Sequence, residues 1–278
     1  MSYPHIYLRN KVVLVTGAAT GIGRAIALEF GRAQASVILH YSHDNQRDSI
    51  ATIHKQIVGF GGQAAEYQAD FCITRQVAIL MERTIRAFDG LDMVVNNAGI
   101  TLNQTLENLT AEQCDLLWAV NVRAPLLITR RAAPVLKHRG GGSVINMSSV
   151  RAYAGGTGHS LYSATKGALV AMTKALAIEL APAKIRVNAI APGWIETEYQ
   201  HEMMQFTAEE IGPKIPAGRI GQPADVAHLA VWLASDQASY ITGQTITIDG
   251  GMTSWLPVSE DWRNRSDAPF GRGYVRGR

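Results

Sequence analysis

"KVVLVTGAATGIGRAIALEF", residues 11–30, decides how the rest of this sequence is read. It opens with a β-branched, apolar run of strand length, and from 22 to 33 apolar residues recur at helical period. Between the two, "TGAATGIG" (16–23) sets Gly17, Gly21 and Gly23 in a G-x-x-x-G-x-G spacing that departs from the more familiar G-x-G-x-x-G. Glycines at a strand-to-helix turn let the main chain bend sharply and approach a ligand, while the free amides and dipole of the helix N-terminus attract an anion. In isolation the motif also describes a plain structural turn. At the head of a βαβ unit it points to the pyrophosphate of a dinucleotide.

Outward from this turn the same alternation continues. "SVILHY" precedes a helical period over 44–58, and "AAEYQ" precedes one over 74–88. "LDMVVN" leads to 110–138, "GSVINMSS" to 160–180, and "IRVNAIA" to a less regular region, before a helix over 223–235 and a final "GQTITID". Seven strand candidates separated by helices predict an α/β fold, a doubly wound parallel sheet covered on both faces. Residues 1–251 are expected to form one domain, with 252–278, rich in Arg, Gly, Pro and Trp and lacking either period, as an irregular tail.

Composition excludes several classes. The chain has 278 residues, 47% of them hydrophobic and 18% charged, enough to bury a large core. Its net charge of +3 is concentrated at the end, in Arg263, Arg265, Arg272, Arg276 and Arg278, so the body is nearly neutral and nucleic-acid binding has little support. Cys72 and Cys114 have no metal or redox spacing, and "MSYPHIYLRN" lacks a signal-peptide pattern; both favour a cytoplasmic setting. Even "ALVAMTKALAIELA" is broken by Lys174 and Glu179, so no membrane span is expected, and no ligand spacing suggests a metal.

"YSATK" (162–166) puts a phenol and an ammonium four residues apart. On a helix they share one face, where the cation favours phenolate and brings a group that ordinarily titrates near ~10 closer to acid–base work at neutral pH. Such a pair also occurs on ordinary solvated faces, and its meaning depends on what surrounds it.

With "TGAATGIG", Asp70, "NNAG" (96–99), Asn121, Ser149, "YSATK" and "PGWIET" (192–197) in this order, the sequence resembles the short-chain dehydrogenase/reductase family over about residues 10–251. The resemblance implies a single-domain Rossmann-type fold and hydride transfer between a nicotinamide and a secondary alcohol or carbonyl. By the same resemblance Tyr162 is the general acid/base, and Lys166 lowers its pKa and binds the cofactor ribose. Ser149 hydrogen-bonds the reacting oxygen, Ser148 being the alternative. Asn121 holds a water that links Lys166 to solvent, or is a satisfied buried amide. For the cofactor, the resemblance adds Thr20 and Ile22 to the glycine turn, Asp70 at the adenine or as a cap, and Asn97, Ala98 and Gly99 along the adenosine ribose. Pro192, Gly193, Ile195 and Thr197 would lie at the nicotinamide. A flap over about 197–216 would cover the substrate, its Met and aromatic residues serving contact or packing.

NAD-preferring relatives carry an Asp at the tip of the second strand; here Tyr41 stands there, followed by Ser42, with no acid before Asp44. The expectation is therefore NADP(H), with NAD(H) also accepted. "IPAGRIGQPADVA" (215–227), "WLASDQASYITG" (232–243) and "DGGMT" (249–253) resemble sugar 1-dehydrogenases, wording shared in part with 3-oxoacyl-carrier-protein reductases. Arg151, His159 and Trp194 are the candidate substrate contacts, Arg151 and His159 being equally at home as surface residues. A sugar or polyol is the expected substrate, an oxoacyl thioester or other carbonyl the alternative, and a non-catalytic dinucleotide sensor the rival of another class. The resemblance also implies a homotetramer, with helices 110–138 and 160–180 at the larger interface and the tail, anchored by Trp255 and Trp262, near a neighbouring subunit's pocket.

Overall fold

The computed structural model describes residues 6–198 and 207–254. Seven strands, β1 (Val12–Val15), β2 (Ser36–Tyr41), β3 (Gln63–Gln68), β4 (Met93–Asn96), β5 (Gly142–Met147), β6 (Ile185–Pro192) and β7 (Thr245–Ile248), form one sheet. All neighbours run parallel, in the order β3-β2-β1-β4-β5-β6-β7. The expected doubly wound sheet is present, and its strand order reverses between β1 and β4, which opens a crevice at their carboxyl ends.

Alternation along β1 divides the core between two faces. Val13 and Val15 pack with Ile26 and Phe30 of α1 (Gly21–Arg32), Ile53 of α2 (Arg47–Gly59) and Ala230 of a late helix, Pro223–Ala234. Val12 and Leu14 pack on the other face with Leu80 of α3 (Thr74–Ala87), with Ile128 and with Ala177. Strands buried on both sides read as continuous Val/Ile/Leu runs, which is why they were visible in the sequence.

The segment expected as one helix over 110–138 is interrupted. It forms α4 (Ala111–Trp118), a π-turn (Ala119–Arg123) and α5 (Ala124–His138). An α-helical bond to the Asn121 carbonyl needs the amide proton of residue 125, and Pro125 has none. The ladder steps instead to a wider pairing, with the Ala124 N–H reaching the Ala119 carbonyl. The helix expected over 44–58 likewise opens as a 3-10 turn, Asp44–Gln46, before α2.

Beyond α6 (Ser160–Leu180) and β6, only part of the expected flap is described: a short helix α7 (Ala208–Ile211) and a 3-10 turn (Gly212–Lys214). Ile211, Ile215 and Ile220 cluster there with Trp194 and Met252. The late helix is α8. Trp255, Trp262 and the arginine-rich tail lie outside the described residues. Among those described, no helix is long and apolar enough to cross a membrane, and no cluster of His, Cys, Asp and Glu could hold a metal.

Candidate active site

The glycine turn is shaped by contacts that leave no room for side chains. Gly17 and Gly21 have positive φ, +64° and +51°. A Cβ on Gly23 would lie 1.9 Å from the Gly17 carbonyl oxygen and 2.4 Å from Asn97 Nδ2. One on Gly17 would lie 2.9 Å from Ala98 Cα. The turn is thus folded onto the end of β4, with the amides of α1 at the crevice.

Two residues pin it there. Thr16 Oγ1 donates to the Val95 carbonyl at 3.3 Å and accepts the amides of Asn97 at 3.0 Å and Ala98 at 2.9 Å. Asn97 Nδ2 in turn donates to the Thr16 carbonyl at 2.9 Å and the Gly17 carbonyl at 3.2 Å. From the other side, His40 Nδ1 accepts the Gly17 amide at 3.0 Å, Nε2–H donates to the Ala69 carbonyl at 2.9 Å, and the ring stacks on Phe71 at 4.2 Å. Burial lowers the His40 pKa to about 4, so the imidazole stays neutral and can accept through Nδ1.

At the adenosine end, Tyr41 closes β2 as expected. Tyr41 does not present its ring at the tip of β2 but buries it in the core with α1 and α2, so Ser42 is the half-buried residue there. Asp44 is exposed and paired with Arg47 at 3.0 Å. Asp70 does not cap α3, whose N-cap is Ile73; its Oδ1 accepts the Cys72 amide at 2.9 Å in a turn that holds the loop after β3. Thr20 is exposed at the N-cap of α1 without a side-chain capping bond, and Ile22 packs against the core beside it.

On the other bank of the crevice, α6 presents Tyr162 and Lys166 on one face, with Lys166 Nζ 5.5 Å from the Tyr162 ring centroid. Nζ donates to the Met147 carbonyl at 2.7 Å, and a Cβ on Gly99 would lie 3.3 Å from it. Burial lowers the Lys166 pKa to about 8. The two serines at the end of β5 differ: Ser148 Oγ donates to the Lys166 carbonyl at 2.9 Å, whereas Ser149 Oγ accepts the Arg151 amide at 3.2 Å.

The Asn121 side chain is hydrogen-bonded through both its oxygen and its nitrogen. Oδ1 accepts the Ile100 amide at 2.9 Å, while Nδ2 donates to the Ile100 carbonyl at 2.9 Å and to Thr165 Oγ1 at 3.1 Å. The side chain thus fits the satisfied buried amide, which locks the π-turn to the loop after β4 and to α6. The main-chain carbonyl of Asn121 has no α-helical donor, because residue 125 is proline. Thr165 passes the link on by donating to the Tyr162 carbonyl at 2.8 Å.

Of the loop residues, Pro192 ends β6 and Gly193 turns away under Asp249, whose Cβ would be 2.6 Å from an added methyl. Ile195 is buried and bridges to Gly221; Trp194 faces the α7 cluster. Thr197 lies against Gly21. His159 meets the Tyr162 ring edge-on, centroids 6.4 Å apart, and its Nδ1 bonds the Thr157 carbonyl at 2.9 Å. Arg151 is turned into its own loop, Nη1 donating to the Gly155 carbonyl at 2.6 Å.

The geometry thus brings a glycine turn suited to a diphosphate within one crevice of a buried lysine and a tyrosine one helical turn away. A family model described as Enoyl-(Acyl carrier protein) reductase matches residues 17–253. The 3-oxoacyl-[acyl-carrier-protein] reductase of Thermotoga maritima is 37% identical over 245 residues, covering 88% of this chain and 98% of its own. A short-chain type dehydrogenase/reductase from Mycobacterium marinum superposes with a TM-score of 0.83 at 35% identity, covering 90% of this chain and 98% of that one. The chain is a short-chain dehydrogenase/reductase. Acetoin dehydrogenase from Salmonella typhimurium has the same fold, with a TM-score of 0.81 at 31% identity over 89% of this chain and 98% of its own.

As an oxidoreductase of this family it works with NAD(P)(H), and the glycine turn fits such a dinucleotide because it brings bare main chain and the N-terminus of α1 to the crevice. Thr16, His40, Thr165 and Glu198 escaped sequence reading. Thr16 sits inside the glycine motif and Thr165 inside "YSATK", so position alone could have flagged them. Nothing local marks His40 or Glu198.

Proposed function

We propose that this enzyme reduces the ketone of a small carbonyl compound, a 3-oxoacyl thioester or a related ketone, with NADP(H) preferred. The observation that carries the reading is the buried Lys166 one helical turn from Tyr162, its Nζ on the Met147 carbonyl at the end of β5, two residues before Ser149. The nicotinamide, when bound, supplies the hydride. Tyr162 gives its phenolic proton to the substrate oxygen, and Ser149 holds that oxygen as charge develops on it. Lys166 biases the phenol toward giving up that proton. The Asn121 carbonyl anchors a water through which the proton is replaced. Asn97, Ala98, Gly99 and Asp70 border the adenosine half of the cofactor, and Pro192, Gly193, Ile195 and Thr197 the nicotinamide half.

Preference for NADP(H) is supported by the absence of an acid at the tip of β2, where only Ser42 and His43 are presented before the paired Asp44. The relatives' names support an oxo substrate. A sugar or polyol is favoured by His159 at the edge of Tyr162, but it loses the support of Arg151, which the Gly155 carbonyl occupies. A homotetramer is supported by exposed Leu116, Trp118 and Leu126 on α4 and α5 and by Ile178 on α6.

Initial rates with acetoacetyl thioester, a simple hydroxyketone and glucose, each with NADP(H) and NAD(H), test the reading. Rapid thioester or ketone reduction and a higher kcat/KM for NADPH are expected. Turnover of sugars alone, or a hundredfold preference for NADH, would reject it.

A further inference from the structure

The N-terminus of α1 already holds an anion. No acidic residue lies in the first turn of this twelve-residue helix, and Thr20 at its N-cap makes no side-chain capping bond. The Gly21 amide instead donates to Glu198 Oε2 at 3.1 Å, a carboxylate 177 residues away in sequence. The other oxygen of the same carboxylate accepts from Arg24 Nη2, and Thr197 packs over Gly21 from the same segment, its Cγ2 3.1 Å from where a Cβ would lie. Burial alone would raise the Glu198 pKa, but its own amide, the Arg24 charge and the Gly21 amide outweigh this and hold it below the usual carboxylate range.

We propose that Glu198 is an internal competitor for the diphosphate of the dinucleotide, and that it sets cofactor affinity by occupying the Gly21 amide and Arg24 until the cofactor displaces it. This rests on the reading that the glycine turn binds the diphosphate. A carboxylate and a diphosphate cannot share the one proton of the Gly21 amide, and two anions side by side repel. When the cofactor enters, the Glu198 carboxylate gives up the Gly21 amide, and Arg24 is released toward the phosphates. On departure the carboxylate returns and closes the site against rebinding. A mere helix cap would also sit on Gly21, but it would need neither a second partner in Arg24 nor a reach from the end of β6.

The two accounts separate experimentally. Affinities of the full-length wild type, Glu198→Gln and Glu198→Ala for NADPH, ADP and adenosine are measured by fluorescence titration and calorimetry, together with melting temperatures. The expected result is NADPH and ADP binding about threefold to tenfold tighter in both variants, on the scale of one helix-terminal contact and one exposed ion pair. Adenosine, which lacks the diphosphate, should bind all three proteins equally. Arg24→Gln should weaken ADP binding. If wild type binds NADPH and ADP but the variants bind them no tighter, or only melt lower, the competitor role is overturned and the diphosphate site stands. If wild type binds neither, the reading of the site itself fails with it.

Discussion

Gly23→Ala is the substitution whose consequence the structure states most directly. A methyl there lies 1.9 Å from the Gly17 carbonyl oxygen and 2.4 Å from Asn97 Nδ2, whereas ordinary contact begins near 3.4 Å, so relief demands movement of about 1.5 Å. Gly17 cannot retreat freely, because it rests on Ala98 and its amide is held by His40. Asn97 is fixed by Thr16. Overpacking of this kind costs about 1–3 kcal/mol, offset by about 0.5–1 kcal/mol from replacing a helical glycine. The net, between about 0 and 2.5 kcal/mol of loss, should lower the melting temperature by up to about 10 °C in a domain of this size. Binding should suffer as well. A displaced turn misaims the amides that meet the diphosphate, so NADPH affinity measured by fluorescence titration should fall by about tenfold, the loss of roughly one charge-assisted hydrogen bond. Gly59→Ala, at the open end of α2 with nothing within 4 Å of the new methyl, is the matched control and should be neutral or slightly stabilising. If Gly23→Ala bound NADPH within twofold of wild type and melted at the same temperature, the tight apposition of the glycine turn on β4 would be wrong.

Three further outcomes are expected. Tyr162→Phe should lower kcat at least ~100-fold while leaving the NADPH dissociation constant within about twofold, and Lys166→Ala should damage both; retained turnover in Tyr162→Phe would remove the acid/base assignment. Thr165→Val takes one acceptor from the buried Asn121 amide and one donor from the Tyr162 carbonyl, so urea denaturation should show a loss of about 1–3 kcal/mol, and a neutral result would mean that the π-turn is held elsewhere. His40 is neutral in the fold, with a pKa of about 4 against an ordinary 6.5, so the unfolded chain takes up its proton first. Its contribution is complete above pH 6.5 and is lost as pH falls toward 4, up to about 3 kcal/mol, so the urea midpoint should drop more steeply over that range in wild type than in His40→Gln.

Much of this molecule is written locally. The seven strands, the parallel sheet and the glycine turn follow from patterns a few residues long: runs buried on both faces, helical period, and glycines where a strand meets a helix. Tyr162 and Lys166 could be paired from their spacing alone, because four residues on a helix define one face. Pro125 also carried its message locally, since it removes the amide proton that the Asn121 carbonyl would accept, although Pro134 is tolerated within α5 and the reading of 110–138 passed over both.

What the sequence did not disclose depends on which chain segments meet across the sheet. The β3-β2-β1-β4 order brings His40, Thr16 and Asn97 around one turn, and only that crossing makes a strand histidine the acceptor for a glycine amide. Tyr41 turned into the core and Ser42 outward because the packing of α1 and α2 decides which side of the strand tip is buried. Arg151 was drawn to the Gly155 carbonyl by the fold of its own loop, and Glu198 reached Gly21 from the far end of β6. Local propensity sets each element because its hydrogen bonds and period close within a few residues. The polar contacts of the site join groups tens to nearly two hundred residues apart, so their partners are chosen by the tertiary arrangement, where a buried amide or carboxylate must take whichever complementary group the packed elements bring to it.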